Sequence, residues 1–288
     1  MIPGRYDYHR PASVAEAVAL LASLGEEARP IAGGHSLIPM MKLRLAQPAH
    51  LVDIGRLEEL KRVREEAGAV VIGSGVSQHE LIASELLAAR LPILRETALL
   101  IADPQVRYCG TLGGNVANGD PGNDMPAVMQ CLDATYLLAG PDGGSREVPA
   151  RTFYEAAYVT ALRPGELLTA VRIPTPPAGH GWAYEKLKRK VGDYATAAAA
   201  VLLTLKDGKV ASASVALTNL ADTPLWVEAA GQVLVGTAAD GAAAKRAAAL
   251  ARGRVSPGSD TRGPAEYRTA VAGVVVARAI ARARSRAA

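Results

Sequence analysis

Two glycine pairs constrain the fold of this chain more than any other feature. In each, an apolar or β-branched residue precedes the glycines and a polar residue follows them. They stand in the motifs Ala32-Gly33-Gly34-His35-Ser36 and Thr111-Leu112-Gly113-Gly114-Asn115. Glycine adopts positive φ without steric cost, and successive main-chain N–H groups in such turns form a concave anion site. Either motif alone is typical of an ordinary tight turn. The pair predicts two loops that hold a diphosphate from opposite sides, as a dinucleotide site requires.

The composition is that of a folded protein with room for one large domain or two to three modest ones. Of 288 residues, 49% are hydrophobic and 21% are charged, and only one Phe and two Trp are present. The net charge of +4 is modest, whereas nucleic-acid binding needs a focused basic face. We interpret the basic runs at 186–190 and 278–286 as solvated faces. The first lies next to a candidate ligand region, so a role in binding stays open.

Cys109 and Cys131 are the only cysteines, and they form neither a CxxC pair nor a cluster. A structural zinc ion or an iron–sulfur cluster held by this chain is therefore not expected. Lone thiols suit a reducing compartment. The sequence also contains no apolar run of membrane-spanning length. We expect a cytoplasmic protein, at most peripheral to a membrane through a partner.

Local signals predict a βαβ-like unit around the first glycine pair. Ser13 and Glu16 form a capping box for a helix that ends at Gly25. A strand at 29–31 then leads into the glycines, and a second strand is expected at 51–54. This order places the first glycine loop at the C-terminal end of a strand, where ligands commonly bind.

Residues 69–75 run from a strand into G-x-G, which is the beginning of a dinucleotide fingerprint. Gln78 occupies the place of the third glycine, so we reject a Rossmann site here. The run Ser77-Gln78-His79-Glu80 predicts instead a second capping box and a helix through residue 87. His79 is interpreted as a surface residue at the start of that helix.

The loop at 118–126 is crowded with turn-forming residues, and long ordered loops in compact domains are often functional. Its Asp124 can either cap the helix that follows or accept a hydrogen bond from a ligand hydroxyl. Capping is the simpler interpretation for an Asp that precedes Met-Pro.

The second half of the chain begins with strands at 134–139 and 167–173 and a linker at 174–181, where we place a domain boundary. Asp207-Gly208 predicts a type I′ hairpin turn between strands at 195–205 and 209–219. Alanine-rich helices are expected at 226–236, 240–253 and 264–285.

The motifs of acid–base and nucleophilic catalysis are missing from the sequence. It contains no nucleophile elbow, no HExxH and no Walker lysine. Two phosphate-binding loops without such a constellation suit a bound redox cofactor, which carries the chemistry while the protein positions it. The alternative from another class is a non-catalytic nucleotide-binding or scaffold protein in which the glycine pairs are ordinary turns.

The two glycine motifs resemble the FAD-binding signatures of the flavoprotein subunits of molybdenum hydroxylases, the xanthine dehydrogenase family. Within that family the whole chain is similar to the medium subunits of aerobic carbon monoxide dehydrogenases. The opening Met1-Ile2-Pro3-Gly4 and the stretches at 102–108, 118–126 and 184–198 carry this resemblance. One departure is Leu112, where isoleucine is common in the family.

The resemblance implies an α+β fold in two domains. The first, at 1–176, would be a PCMH/vanillyl-alcohol-oxidase-type FAD-binding domain with subdomains at about 1–57 and 58–176. The second, at 177–288, would be a C-terminal domain of a small antiparallel sheet plus helices. FAD would lie between the two domains.

The resemblance also implies the cofactor-binding residues, and it implies neither a catalytic residue nor a metal site in this chain. The diphosphate would lie on the N–H groups of 33–36 and 113–115, with Thr111 in contact, and Tyr194 would cover the isoalloxazine ring. The implied set is Ala32, Gly33, Gly34, His35, Ser36, Ile101, Ala102, Thr111, Gly113, Gly114, Asn115, Asp124, Leu168, Lys186 and Tyr194.

The implied activity is electron transfer within a dimer of heterotrimers. CO and water would react at a molybdenum–copper cofactor in a large partner subunit. The electrons would cross two [2Fe-2S] clusters in a small partner subunit, reach the FAD of this chain and pass to a quinone. The rival within the family is the FAD subunit of a hydroxylase acting on an aldehyde or an N-heterocycle, since the large subunit selects the substrate.

Overall fold

Three parallel strands in the order β1-β3-β2 form the N-terminal sheet. The computed structural model describes residues 2–288, so Met1 of the opening motif lies outside the described chain. The elements are β1 (Asp7–His9), α1 (Val14–Leu24), β2 (Ala28–Ile31), α2 (Leu37–Lys42) and β3 (His50–Asp53). The predicted βαβ-like unit is confirmed, with α2 connecting the parallel strands β2 and β3.

Helix α1 begins where the sequence predicts, because the Ser13 hydroxyl accepts the N–H of Glu16 at 3.1 Å. The Glu16 carboxylate accepts the N–H of Ala12 at 2.7 Å and not that of Ser13. The predicted capping box is therefore only half formed. Gly25 ends the helix with a φ of 61°, a left-handed conformation that glycine adopts without cost.

A central sheet of five antiparallel strands follows, in the order β4-β5-β10-β6-β7, and β8 and β9 form a separate pair. The strands are β4 (Val63–Glu66), β5 (Ala69–Gly73), β6 (Thr135–Ala139), β7 (Ser145–Pro149), β8 (Tyr154–Ala156), β9 (Val159–Thr160) and β10 (Leu167–Pro174). The helices of this region are α3 (Gln78–Ala83), α4 (Glu85–Arg90), α5 (Pro92–Leu100), α6 (Pro104–Cys109), α7 (Leu112–Ala117) and α8 (Asp124–Cys131).

The capping box predicted at the start of α3 is confirmed, since Ser77 and Glu80 each accept the other's N–H. The single helix predicted beyond it is wrong, because the chain breaks at Ser84. The Ser84 hydroxyl accepts the N–H of Leu87 at 3.3 Å and starts α4 as a new helix.

The C-terminal sheet has four antiparallel strands in the order β11-β12-β13-β14. The elements are β11 (Gly181–Leu187), β12 (Ala197–Lys206), β13 (Lys209–Thr218), β14 (Leu225–Trp226), α9 (Glu228–Gln232), α10 (Gly241–Arg252) and α11 (Ala265–Arg286). Asp207 and Gly208 have φ values of 53° and 73°, so the predicted type I′ turn is confirmed. The domain boundary predicted at 176/177 falls in the loop between β10 and β11 and stays a prediction.

The run of alanines in β12 is explained by burial on both faces of the C-terminal sheet. Ala198 and Ala200 pack into the core of the central sheet and its helices. Ala197, Ala199 and Val201 belong to a second core that includes side chains of α10 and α11. Successive side chains of a strand point to opposite faces, and small ones let a layer approach from each side. The C-terminal sheet therefore joins the two cores.

Two of the basic residues predicted to form a solvated face on α11 are paired with carboxylates. Arg282 lies 2.6 Å from the carboxylate of Glu185, and Arg286 lies 2.6 Å from that of Glu96. These contacts attach the last helix to β11 and to α5. No helix within residues 2–288 combines the length and the apolar character needed to cross a membrane.

Candidate functional site

A cavity of about 1030 Å³ lies where the N-terminal sheet, the helices of the central sheet and the C-terminal sheet meet. All fifteen cofactor-binding residues expected from the sequence line it. They are Ala32, Gly33, Gly34, His35, Ser36, Ile101, Ala102, Thr111, Gly113, Gly114, Asn115, Asp124, Leu168, Lys186 and Tyr194. Two motifs separated by more than seventy residues are thus brought to one site.

The first glycine pair forms the open loop that the sequence predicts. It leaves the C-terminal end of β2, and Gly34 has a φ of 72°. The main-chain N–H groups of 33–36 donate to no protein acceptor within the described chain. Buried or ligand-facing N–H groups need partners, so this loop offers a row of donors to an anion.

Gly33 is required for a different reason from the one expected. A Cβ atom at this position would overlap the carbonyl oxygen of Cys109 at the end of α6. The glycine therefore permits the backbone of the N-terminal loop to touch that of the central region. Gly33 is therefore needed for the packing of the protein itself, whether or not a ligand is bound.

The second glycine pair is the first turn of α7, so the expectation of a second loop with positive φ is wrong. The Thr111 hydroxyl caps the helix by accepting the N–H of Gly114 at 3.0 Å. Gly113 donates to the carbonyl of Ser74 at 2.8 Å, and Asn115 donates to the carbonyl of Thr111 at 3.0 Å. The N–H groups assigned to the diphosphate are thus already engaged within the protein.

The two glycines of α7 have different neighbours, and only Gly113 packs closely against another segment. A Cβ at Gly113 would overlap the side chain of Ser74, whereas Gly114 is exposed toward the cavity and a Cβ there would meet only the Thr111 hydroxyl, at 2.9 Å. Asn115 accepts the N–H of Met125 at 3.1 Å through its side-chain oxygen. This bond ties α7 to the start of α8.

Asp124 is not the cap of α8 but a buried acceptor, so the capping interpretation is wrong. Its carboxylate accepts the Tyr184 hydroxyl at 2.6 Å and the Lys186 ammonium at 2.7 Å. Its burial raises the pKa of the Asp124 carboxyl, and the charge of Lys186 opposes this shift. The side chains of Asp124 and Lys186 are 6% and 1% exposed, so the solvated face predicted at 186–190 is also wrong for Lys186.

Tyr184 does not line the cavity, but it positions Asp124 from behind, and no motif in the sequence indicates this role. Its hydroxyl oxygen also accepts the Thr218 hydroxyl at 3.2 Å, and burial raises the pKa of Tyr184 well above its usual value. The signal that identifies it is the alternation along 181–187, which places Trp182, Tyr184 and Lys186 on one face of β11. The same alternation brings Tyr184 to the face that carries Lys186, which the resemblance already implies as a site residue.

Tyr194 lies in the loop before β12, at the cavity, with 40% of its surface exposed. Its ring contacts Gly122, where an added Cβ would lie 2.8 Å from the Tyr194 Cδ1 atom. The Arg262 guanidinium lies 5.4 Å from the centre of the ring. An aromatic ring that packs against Gly122 and keeps an exposed face is suited to cover a planar ligand.

The residues present fit a dinucleotide cofactor. The first loop has free N–H donors for a diphosphate, the walls at Ile101, Ala102 and Leu168 are apolar, and a buried ion pair lies among them. The cavity volume of about 1030 Å³ is at the upper end for small-molecule sites.

Two family models match the chain in succession. The first, the FAD binding domain in molybdopterin dehydrogenase, covers residues 4–176, and the second, the CO dehydrogenase flavoprotein C-terminal domain, covers residues 182–283. The fold and the site thus define an FAD-binding subunit of the molybdopterin dehydrogenase class.

Comparison with individual proteins identifies the family within this class. The carbon monoxide dehydrogenase medium chain of Afipia carboxidovorans is 66% identical over 100% of this chain and 99% of its own length. That of Hydrogenophaga pseudoflava is 50% identical over 97% of each. A crystal structure of the cyanide-inactivated Cu,Mo-CO dehydrogenase contains a chain that is 66% identical, with a TM-score of 0.98 and full coverage of both chains. The chain belongs to the family of carbon monoxide dehydrogenase medium chains, and the expected α+β fold is confirmed.

Proposed function

We propose that this chain is the FAD-carrying electron-transfer subunit of an aerobic carbon monoxide dehydrogenase, in which CO, water and a quinone yield CO2 and quinol. Its full-length identity of 66% to a medium chain of that enzyme supports the assignment. FAD, when bound, supplies a carrier that accepts electrons from one partner and releases them to another. The single observation that carries the proposal is the convergence of all fifteen expected residues on one cavity.

The chain's own residues would divide the work of binding. The free N–H groups of 33–36 would hold the diphosphate, and the side chains of Thr111 and Asn115 would contact it from α7. Ile101, Ala102 and Leu168 would exclude water from the cofactor. The pair of Asp124 and Lys186 would place a fixed dipole beside it, and Tyr194 would cover the ring.

The proposal includes the rest of the complex. A large partner would hold the molybdenum–copper cofactor, a small partner would hold two [2Fe-2S] clusters, and two such heterotrimers would associate. No cluster of three or more metal-ligating side chains occurs in residues 2–288, so those metals would belong to the partners. We place the complex in the cytoplasm, peripheral to the membrane that holds its quinone.

The test is an absorption spectrum of the complex purified with its partner subunits, recorded anaerobically before and after addition of CO. We expect one FAD per copy of this chain and bleaching of the flavin bands by CO. An active complex without flavin overturns the proposal, because the cavity then has another occupant. If an aldehyde or an N-heterocycle bleaches the flavin and CO does not, the electron-transfer role stands, and the chain is assigned to the rival hydroxylase instead.

A further inference from the structure

The corner between α5 and α6 is held by three cationic side chains that bond three consecutive carbonyls. Lys186 and Lys188 donate to the carbonyl of Leu100 at 3.2 and 3.5 Å. The Nη1 atom of Arg107 donates to the carbonyl of Ile101 at 2.9 Å and to that of Ala102 at 3.3 Å. The last carbonyls of a helix lack partners within the helix, and cations are favoured there by the helix dipole.

Ala102 occupies an unusual backbone conformation at this corner. Its φ is 43° although it carries a Cβ atom, and residues other than glycine are disfavoured in this left-handed region. Such conformations persist only where the surroundings enforce them, and they concentrate at functional sites. Ala102 lines the cavity, and in the described structure its N–H donates to no protein acceptor.

Arg107 is positioned by α6 to enforce this conformation. Asp103 caps α6 by accepting the N–H of Val106 at 3.0 Å, and Pro104 occupies the first helical position. Arg107 then lies one turn along the helix, and its side chain reaches back over the corner that precedes the helix. A guanidinium nitrogen carries two N–H groups and can serve both carbonyls at once, whereas a lysine ammonium is a compact point charge on a flexible stem.

We propose that Arg107 is a positioning residue for the cofactor: it bonds the carbonyls of Ile101 and Ala102 and so holds Ala102 left-handed, which leaves the Ala102 N–H free for an acceptor atom of the bound dinucleotide. This inference rests on the proposed function. It assigns a role to a side chain outside the fifteen residues expected to bind FAD. The strain at Ala102 is the reason that a clamp is needed.

The test compares FAD dissociation constants of the purified complex after removal and titration of the flavin. Arg107→Met removes both bonds, so Ala102 relaxes, and we expect FAD to bind about tenfold more weakly, a difference of about 1.4 kcal/mol. Arg107→Lys, the milder variant, should lose less. Arg64→Met is the matched control, since Arg64 is half-exposed on β4 and pairs with Glu66.

The decisive variant is Ala102→Gly combined with Arg107→Met. Glycine takes positive φ as readily as negative φ, so the binding conformation no longer depends on the clamp and most of the lost affinity should return. A merely structural role for Arg107 predicts no such rescue. Wild-type affinity in both Arg107 variants, or a double variant as weak as Arg107→Met, overturns the inference. A wild-type complex without flavin overturns the proposed function and this inference with it.

Discussion

The Lys186 ammonium lies 2.7 Å from the Asp124 carboxylate, and the two residues join β11 of the C-terminal sheet to the first turn of α8 across the cavity. Sixty-two positions separate them in sequence. The contact makes the C-terminal sheet a wall of the site and not a separate appendage. Both residues line the cavity, so a buried ion pair forms part of its wall.

Lys186→Met is expected to lower the free energy of unfolding by about 3 kcal/mol, because it leaves the Asp124 charge buried without its counterion. Urea unfolding of the complex or of the chain measures this loss. Lys61→Met is the matched control, since Lys61 also lies 2.7 Å from a carboxylate, that of Glu58, but on the surface. Its removal should cost no more than about 1 kcal/mol. Equal losses in the two variants would show that burial of the pair is unimportant.

Gly114→Val and Gly33→Val are expected to differ in kind. Gly114 faces the cavity and a Cβ atom there would meet only the Thr111 hydroxyl, so FAD should be lost while most of the folding stability remains. Gly33→Val forces the N-terminal loop away from Cys109 and should unfold that region as well. The measurements are FAD content and the urea midpoint of each variant. A Gly33 variant that loses flavin at unchanged stability would contradict the packing role given to this glycine.

Glu166→Gln is expected to destabilise the chain in a pH-dependent manner. The Arg146 guanidinium, which lies 2.6 Å from the Glu166 carboxylate, holds the pKa of that carboxyl below its ordinary value of 4.5. A lowered folded-state pKa gives stability that is fully present above 4.5 and is lost as the pH falls through the folded value.

Urea unfolding at pH 7 should therefore show a loss of about 2 kcal/mol in Glu166→Gln, and the difference from wild type should shrink toward pH 3. Glu147→Gln serves as the control, since Glu147 pairs with Arg172 at 2.6 Å on an exposed surface. A Glu166→Gln deficit that is the same at both pH values would rule out the ion pair as its cause.

Tyr194→Ala is expected to raise the fluorescence of the bound flavin and to shift its absorption bands, because the proposed cover over the ring is removed. Tyr194→Phe keeps the aromatic face and should leave both spectra close to those of wild type. Tyr6→Ala is the control, since Tyr6 has the same exposed fraction of 40% and does not line the cavity. Unchanged flavin spectra in Tyr194→Ala would remove this residue from the cofactor site.

Features governed by neighbouring residues could be predicted from the sequence. The capping groups Ser13 and Ser77 start their helices where expected, and Asp207-Gly208 makes the expected turn. In each case the residues that decide the structure lie within four positions of one another. The fifteen residues implied by the resemblance all line one cavity, which no local pattern shows.

Features that depend on distant contacts could not be predicted. Asp124 precedes Met-Pro, as a cap would, and only the distant strand β11 makes it an acceptor for Lys186. The close packing of Gly113 against Ser74 likewise joins positions that are far apart in sequence. The left-handed φ of Ala102 also has no signature in sequence, although Arg107, which bonds the carbonyl of Ala102, lies only five positions away.

The sharing of β12 between two cores has a consequence for how the molecule comes apart. When β12 unfolds, both cores lose side chains at once. Ala198 and Ala200 belong to one core and Ala197 and Ala199 to the other, and all four lie on the same strand. Heat or denaturant should therefore melt the cofactor-binding half and the C-terminal half in one cooperative transition. A chain truncated before β11 would lose the β12 side chains that complete the core of the central sheet. The apolar residues of that core would then be exposed to solvent.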